Sequence, residues 1–439
     1  MEDLKLVASR VGDALAKAGA QKAQYSVTQK ETHEFNVDGG EFSLFRTLFD
    51  NSLNMTAFHD GKKGTIAINK FDAAAVAEAA ENCMKSAEAG LADPAYDIAP
   101  KQENAVFRDG AYEPDIDKFF DRTRELMSQI KERHPKVLME QMVVQHIKYH
   151  SLYRNTNGTE FETFEGLYYI SLMFSAHEGD STTSFFSSGI QTTSLDRPFI
   201  ELGCLEKDLS DAEASLTTVP VEGKFEGTVI LTPNSLRDFL YSALGNFTSN
   251  NAILEKTSIW LDKLGEQVAD PRITISVKPS DARIVCGERY TGDGFLSEDY
   301  DVIKDGVLQS FMLNLYTANK TGRERAKNSS YSLVIEGGDT PYEKLVGGIK
   351  KGILVGRFSG GQPSNNGDFS GVAKNSFLIE DGKISGAVNE TMISGNLADL
   401  LHHLTAISAE TVTEGSCVLP YMAFDGIVIS GKQAEQPEG

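Results

Sequence analysis

GTVILTPNSLRDFLYSALGNF, residues 227–247, is a buried strand running straight into an amphipathic helix. GTVILT is apolar and β-branched on successive residues, the pattern of a strand covered on both faces. Thr232 and Pro233 then supply a helix N-cap and a first helical residue whose missing N–H costs nothing. Leu236, Phe239, Leu240, Ala243, Leu244 and Phe247 follow at helical spacing and form one apolar stripe. Beyond about residue 272 the chain is mostly short strands and glycine-rich turns, ending in the strand-like GIVISG (426–431). One long helix within a β-rich C-terminal domain, residues 221–435, is therefore expected, with 436–439 a frayed tail.

Moving outward toward the N-terminus, helices and strands occur in separate runs, which makes the fold class α+β. Leu4, Val7, Val11, Leu15 and Ala18 predict an amphipathic helix over 2–19. The strand-like runs AQYSVT, EFNVD, FSLFRTLF and LNMTAFH follow, punctuated at Asp38-Gly39-Gly40 and His59-Asp60-Gly61. A second helix, DAAAVAEAAENCMKSAEAG (72–90), has Asp72 as its cap and Val76, Ala80, Cys83 and Ala87 on one face. With the connection after it, in which Pro94, Pro100 and Pro114 break any periodicity, this makes a first α+β unit of residues 1–110. A second α+β unit, 111–220, opens with the helix DIDKFFDRTRELMSQIKERH (115–134). It continues with strands around LMEQMVVQHIKYHSLY, a hairpin turn at Asn157-Gly158 and the run FETFEGLYYISLMFSAHEG. At a shift of 118 residues Gly40, Met55, His59 and Gly61 fall on Gly158, Met173, His177 and Gly179, in the same helix-then-hairpin order. This suggests a weak duplication.

The 42 Lys and Arg against 63 Asp and Glu give a net charge of -21. That balance argues against wrapping nucleic acid, which needs a basic face, and against docking on anionic membranes. Cys83, Cys204, Cys286 and Cys417 are too dispersed for a disulfide framework or a zinc ribbon. The charged N-terminus and the absence of an apolar run of about 20 residues lead to a reducing cytoplasm as the expected location. Catalytic motifs are scarce. His33-Glu34 and His177-Glu178 are the only HE pairs, and neither has a second histidine at zinc-helix spacing. His146 and His150 read as half-buried strand residues, and His402-His403 as a complement to a helix C-terminus. No GxSxG elbow occurs, and Cys417 in GSCVLPYM reads as a small hydrophobe. The acidic run 292–306, with Asp293, Glu298, Asp299 and Asp301, lacks EF-hand spacing and reads as a turn plus a hairpin at Asp305-Gly306. GRFSGGQPSNNGDFSG (356–371) is a glycine loop. Its backbone suits either close approach to a ligand or a tight surface turn.

Four segments together resemble the TldD/PmbA family: GLADPAYD (90–97), DYDVIKDGVLQSFMLNLYTANKTG (299–322), PSNNGDFSG (363–371) and FLIEDGKISGAVNETMISGNLADLL (377–401). The resemblance implies a three-part α+β chain, cytoplasmic in bacteria and archaea, that assembles in pairs. It implies zinc peptidases with an HExxxH helix in the third unit and a distant cysteine as third ligand, acting on unfolded peptides such as antitoxins and peptide-antibiotic precursors. The paired PmbA-type subunit, also called TldE, lacks the zinc motif. The label modulator of DNA gyrase belongs to the same family. Here the corresponding helix, PNSLRDFLYSALGNF, has neither histidine nor glutamate. Without imidazole ligands there is no zinc-activated water, so no catalytic or metal residue is assigned.

The expected role is that of a non-catalytic subunit. No cofactor is expected in this chain, and zinc is expected in an HExxxH-bearing TldD-type partner, as a heterodimer or higher assembly. Unfolded peptides are the expected substrates, and a homodimer the state when the chain is alone. The expected peptide or partner contacts are Ser364, Asn365, Asn366, Gly367, Asp368, Phe369, Ser370, Glu390 and Asn396. The alternative is a regulatory protein that binds gyrase or a toxin–antitoxin component without proteolysis.

Overall fold

The computed structural model describes residues 3–389 and 391–431. Glu390 and the tail 436–439 lie outside the described residues. Two sheets carry the molecule, of eight and fourteen strands among the described residues.

The first sheet contains β1 (Lys22–Asp38), β2 (Glu41–His59), β3 (Lys62–Ile68), β4 (Ala105–Gly110), β5 (Val137–Asn155), β6 (Glu160–Glu178), β7 (Ser181–Thr182) and β8 (Phe186–Thr192). Its order is β3-β2-β1-β5-β6-β4, with β7 and β8 also paired to β6. AQYSVT and EFNVD, expected as separate strands, are one 17-residue strand, and FSLFRTLF and LNMTAFH are one of 19. The polar residues between them, such as Gln29 and Thr32, are buried in the continuous ladder with β5 and do not interrupt it. The connection after the second helix contains a strand that its prolines concealed. AVFRDG forms β4, parallel to the first third of β6.

The 118-residue shift has a counterpart in this topology. The β1–β2 and β5–β6 hairpins meet through antiparallel β1 and β5, where Lys30 faces Tyr149 and Glu31 faces Lys148. The shift carries Lys30 to Lys148 and Glu31 to Tyr149, so it exchanges these two rungs, as a two-fold axis between the strands would. β3 on the outer edge of β2 corresponds to β8 on the outer edge of β6.

Helices cover this sheet because each has one apolar face. α1 (Leu4–Lys17) and α2 (Ala73–Ala89) bury Leu4, Val7, Val11, Val76, Ala80 and Cys83 against Val27, Leu53 and Met55. α3 (Ile116–Arg133) and α4 (Leu205–Ala214) bury Phe119, Leu126, Leu205 and Leu209 against Val144, Ile170 and Phe174. Asp3, Asp72 and Asp115 accept from first-turn N–H groups of α1, α2 and α3, satisfying donors that the helix itself leaves unpaired.

In the second sheet the strand Lys224–Leu231 lies between the parallel strand Lys351–Val355 and the antiparallel strand Val418–Ser430. It leads into α5 (Pro233–Thr248), capped by the Thr232 hydroxyl. The expected apolar stripe, Leu236 to Phe247, is buried in the largest core with Trp260, Val302, Ile393, Leu400 and Phe424. Each such side chain withdrawn from water contributes about 1.5–3 kcal/mol. The acidic run 292–306 is a turn followed by a hairpin at Asp305-Gly306, both with positive φ. Asp293, Asp299 and Asp301 accept hydrogen bonds from Leu315 N, Ser280 and Ser276.

Candidate functional site

The C-terminal half of α5 packs beneath the 363–370 loop. Asn246 donates from Nδ2 to the carbonyls of Pro363 (3.3 Å) and Ser364 (3.0 Å). Within the loop Gly367 N donates to Ser364 O (2.8 Å), and Ser364 N to Asp368 O (2.9 Å). Asn366 Nδ2 donates to Asp368 Oδ2 (2.8 Å). Asn396 joins this loop to the next helix, Leu397–His402. Its Nδ2 donates to Asn366 O (2.9 Å) and Asp368 Oδ1 (2.8 Å), while its Oδ1 accepts from Ala398 N (2.9 Å) and Asp399 N (3.3 Å). The amides of Asn396 and Asn366 hold the Asp368 carboxyl below its usual range. Phe369 is buried edge-on against Phe239 and Phe358. Gly367 is buried against the Phe247 ring and Asn396.

The structure thus brings together eight of the nine residues expected from the sequence. Gly367, Asp368, Phe369, Asn366 and Asn396 are occupied in bonds and packing inside the chain. Ser364, Asn365, Asn366, Asp368 and Ser370 are exposed, the Ser364 hydroxyl also bonding within the loop, and Glu390 lies outside the described residues.

The zinc chemistry implied by the family resemblance can be tested where α5 meets Cys417. The cysteine, distant in sequence, does reach this helix. Tyr241 Oη and Cys417 Sγ are 3.1 Å apart, and both approach the carbonyl of Tyr331, at 3.1 and 3.6 Å. Burial pushes the Tyr241 phenol up, and the adjacent thiol adds to this. The donors at this point are a phenol and a thiol that bond each other. The amide of Asn246, one turn further along α5, is committed to the loop. These residues do not fit a tetrahedral zinc site, which takes imidazole, thiolate and carboxylate ligands. Among the described residues no group of three or more His, Cys, Asp or Glu is placed to hold a metal ion.

At its N-terminal end α5 faces a cleft of about 390 Å³ between the two sheets, walled by β6, β8 and α4 on one side. Arg237 Nη1 donates to Glu414 Oε2 (2.8 Å), and Lys207 holds Asp211 (2.7 Å). Ser188 Oγ donates to Asp208 Oδ2 (2.5 Å). Burial pushes the Asp208 carboxyl up to about 7, and it raises Glu414 as well, against the opposing pull of Arg237. Cys204, also on this wall, has its thiol raised by burial, which leaves it a poor nucleophile. No motif announces this cleft, since its charged residues come from positions 207 to 414.

Residues 223–431 match the family described as PmbA/TldA metallopeptidase C-terminal domain. Over 96% of both chains the sequence is 23% identical to Metalloprotease PmbA of Escherichia coli O157:H7. The fold superposes on that of TldE from Thermococcus kodakarensis with a TM-score of 0.83 at 19% identity, covering 97% of this chain and 100% of the other. A candidate modulator of DNA gyrase from Bacteroides thetaiotaomicron VPI-5482 superposes with a TM-score of 0.86 at 22% identity, over 98% and 100%. These likenesses define an α+β fold shared with proteins of that kind. Residues 223–431 carry the PmbA/TldA-type C-terminal domain, and over its length the chain is similar to proteins named PmbA and TldE. Among the described residues no helix is long and apolar enough to cross a membrane.

Proposed function

We propose that this chain is the non-catalytic subunit of a heteromeric TldD/PmbA-type zinc peptidase of the cytoplasm, which trims or degrades unfolded peptides. One observation carries the reading: where α5 meets Cys417, the neighbour of the thiol is the phenol of Tyr241, with no imidazole on the helix. A water molecule cannot be activated there by zinc, so hydrolysis falls to an HExxxH-bearing partner. The exposed face of the 363–370 loop, with Ser364, Asn365 and Ser370 supported rigidly from below, is the proposed contact with partner or peptide. Glu390 belongs to the same proposal. An extended peptide would be held mainly by main-chain hydrogen bonds, which require little sequence specificity.

The test is gentle purification of the tagged chain from its own host, with co-eluting proteins identified by mass spectrometry and peptide cleavage assayed with zinc. A stoichiometric HExxxH-bearing relative, with cleavage only in the mixture, is the expected result. Recovery of the chain alone, or zinc-dependent cleavage by the pure chain, would overturn the assignment.

A further inference from the structure

The segment 284–296 fastens the second half of the chain to the first sheet. Its start is tied to the second half, where Val285 N donates to Gly415 O (2.7 Å). Its middle lies on β4 and β6. Tyr290 stacks on Phe107 and Phe161, and a Cβ on Gly110 would come within 3.0 Å of Cys286 Sγ. Asp109 of β4 and Glu165 of β6 are register partners on these parallel strands, so their side chains leave the same face of the sheet side by side. Arg289 of the segment is the cation beside this pair, and it donates twice to Asp109. Among the described residues Glu165 has no salt bridge. The other titratable groups that face it supply no positive charge. They are Cys286 and Tyr290 on the segment and Tyr149, its register partner on β5.

Two ionised carboxylates side by side repel, and burial removes the water that would screen them. Desolvation, followed by the charge of Asp109, raises the Glu165 carboxyl from 4.5 to about 7, against the pull of Arg289. Cys286, Arg289 and Tyr290 all lie within the field of Glu165, so lifting the segment returns water to this carboxyl and takes the burial away. We propose that Glu165 makes the joint between the two sheets pH-sensitive: as a neutral acid it lets the segment 284–296 stay seated on β4 and β6, and as a carboxylate it adds a second negative charge beside a single cation and favours release of the segment. The seated form binds this proton more tightly than the lifted form. Seating is therefore strongest below about pH 4.5, weakens as pH rises to about 7, and is level above that. Every group involved belongs to this chain, so the device operates whatever partner the chain has.

The experiment is hydrogen–deuterium exchange of the full chain followed by mass spectrometry from pH 6 to pH 8, with each peptide's rate divided by its unstructured rate at the same pH. Protection of peptides from 284–296 and from β4 is expected to fall about tenfold over this range. Peptides of α1 and α2, which pack elsewhere on the sheet, are expected to keep theirs. Glu165→Gln preserves the shape and removes the charge, and is expected to hold the pH 6 protection at every pH. Asp208→Asn removes the other raised carboxyl between the sheets, and is expected to leave the response of 284–296 in place. If Glu165→Gln does not fold, judged by circular dichroism, the unmodified chain and Asp208→Asn decide the matter, because an ordinary glutamate is ionised throughout this range and gives no response. Constant protection in the unmodified chain, the same response in Glu165→Gln, loss of the response in Asp208→Asn, or an equal fall in α1 and α2 would overturn the proposal.

Discussion

Gly367 has φ of +93°, and a Cβ there would lie 2.9 Å from the Phe247 ring and 3.2 Å from Asn396 Oδ1. Gly367→Ala would add backbone strain and overpacking at one point, and is expected to cost about 2–4 kcal/mol, read as a lower urea midpoint. Asp208 shows the effect of burial on a charge. Its carboxyl is raised from an ordinary 3.8 to about 7, mainly by desolvation. The folded chain therefore binds this proton more tightly than the unfolded chain. Stability falls as pH rises from about 4 to about 7, and the deficit stays constant above that. Asp208→Asn is expected to stabilise the protein by about 2–4 kcal/mol at pH 8 and by less than half as much at pH 5. Thermal melts at both pH values test this, and a gain of the same size at both would contradict it.

α5 is the element on which the functional reading turns. Its boundaries follow from local chemistry, the Thr232 cap and Pro233 at one end and a second cap, Ser249, at the other. Gly245 sits inside the helix with open space around the position of a Cβ. Gly245→Ala is expected to raise stability by about 0.5–1 kcal/mol, since alanine loses less backbone entropy and meets nothing. A denaturation midpoint that falls would show that the open space is needed. The long hairpins follow another rule. Their strands continue through polar stretches because the backbone ladder is unbroken and some of the polar side chains pair across it, as Thr28 does with Ser151 and Glu34 with Gln145. Local pattern reading breaks a strand at such points, while the ladder, which is a tertiary feature, carries it through.

At the scale of the molecule, the two sheets are joined by contacts of high sequence separation. Arg289 clamps Asp109 of β4 with two bonds of 2.6 Å. Tyr290 stacks on Phe161 of β6 at 4.8 Å. The connection after α2, which reads as a plain linker, is fastened to the helix Leu315–Thr321. There Lys320 and Tyr316 both donate to Asp93, and Tyr96 stacks on Tyr316. Lys320, followed by the backbone of Ala95, keeps the Asp93 carboxyl below its usual range. Asp109→Ala would leave the Arg289 guanidinium half-buried without its partner, at a cost of about 1–3 kcal/mol. If this clamp couples the sheets, the variant's calorimetric enthalpy is expected to exceed its van't Hoff enthalpy. A single two-state transition in the variant would show that the stacked aromatics suffice.

The sequence alone determined the α+β class, the caps and stripe of α5, the hairpin turns at glycine and the lack of a histidine or glutamate on that helix. These are local properties, set by side-chain period, backbone freedom and the identity of donor atoms. Residues 363–370 and Asn396 were singled out in the sequence because the resemblance marks them, but their internal bonding was not visible there. Only the tertiary structure decided that both N-terminal units share one sheet, that AVFRDG is a strand, and that Cys417 reaches Tyr241 across 176 residues. It also decided that residues from 207 to 414 enclose one charged cleft. Sheet pairing and the burial of a charge depend on which distant segments come to lie side by side, and no local window of sequence contains both partners.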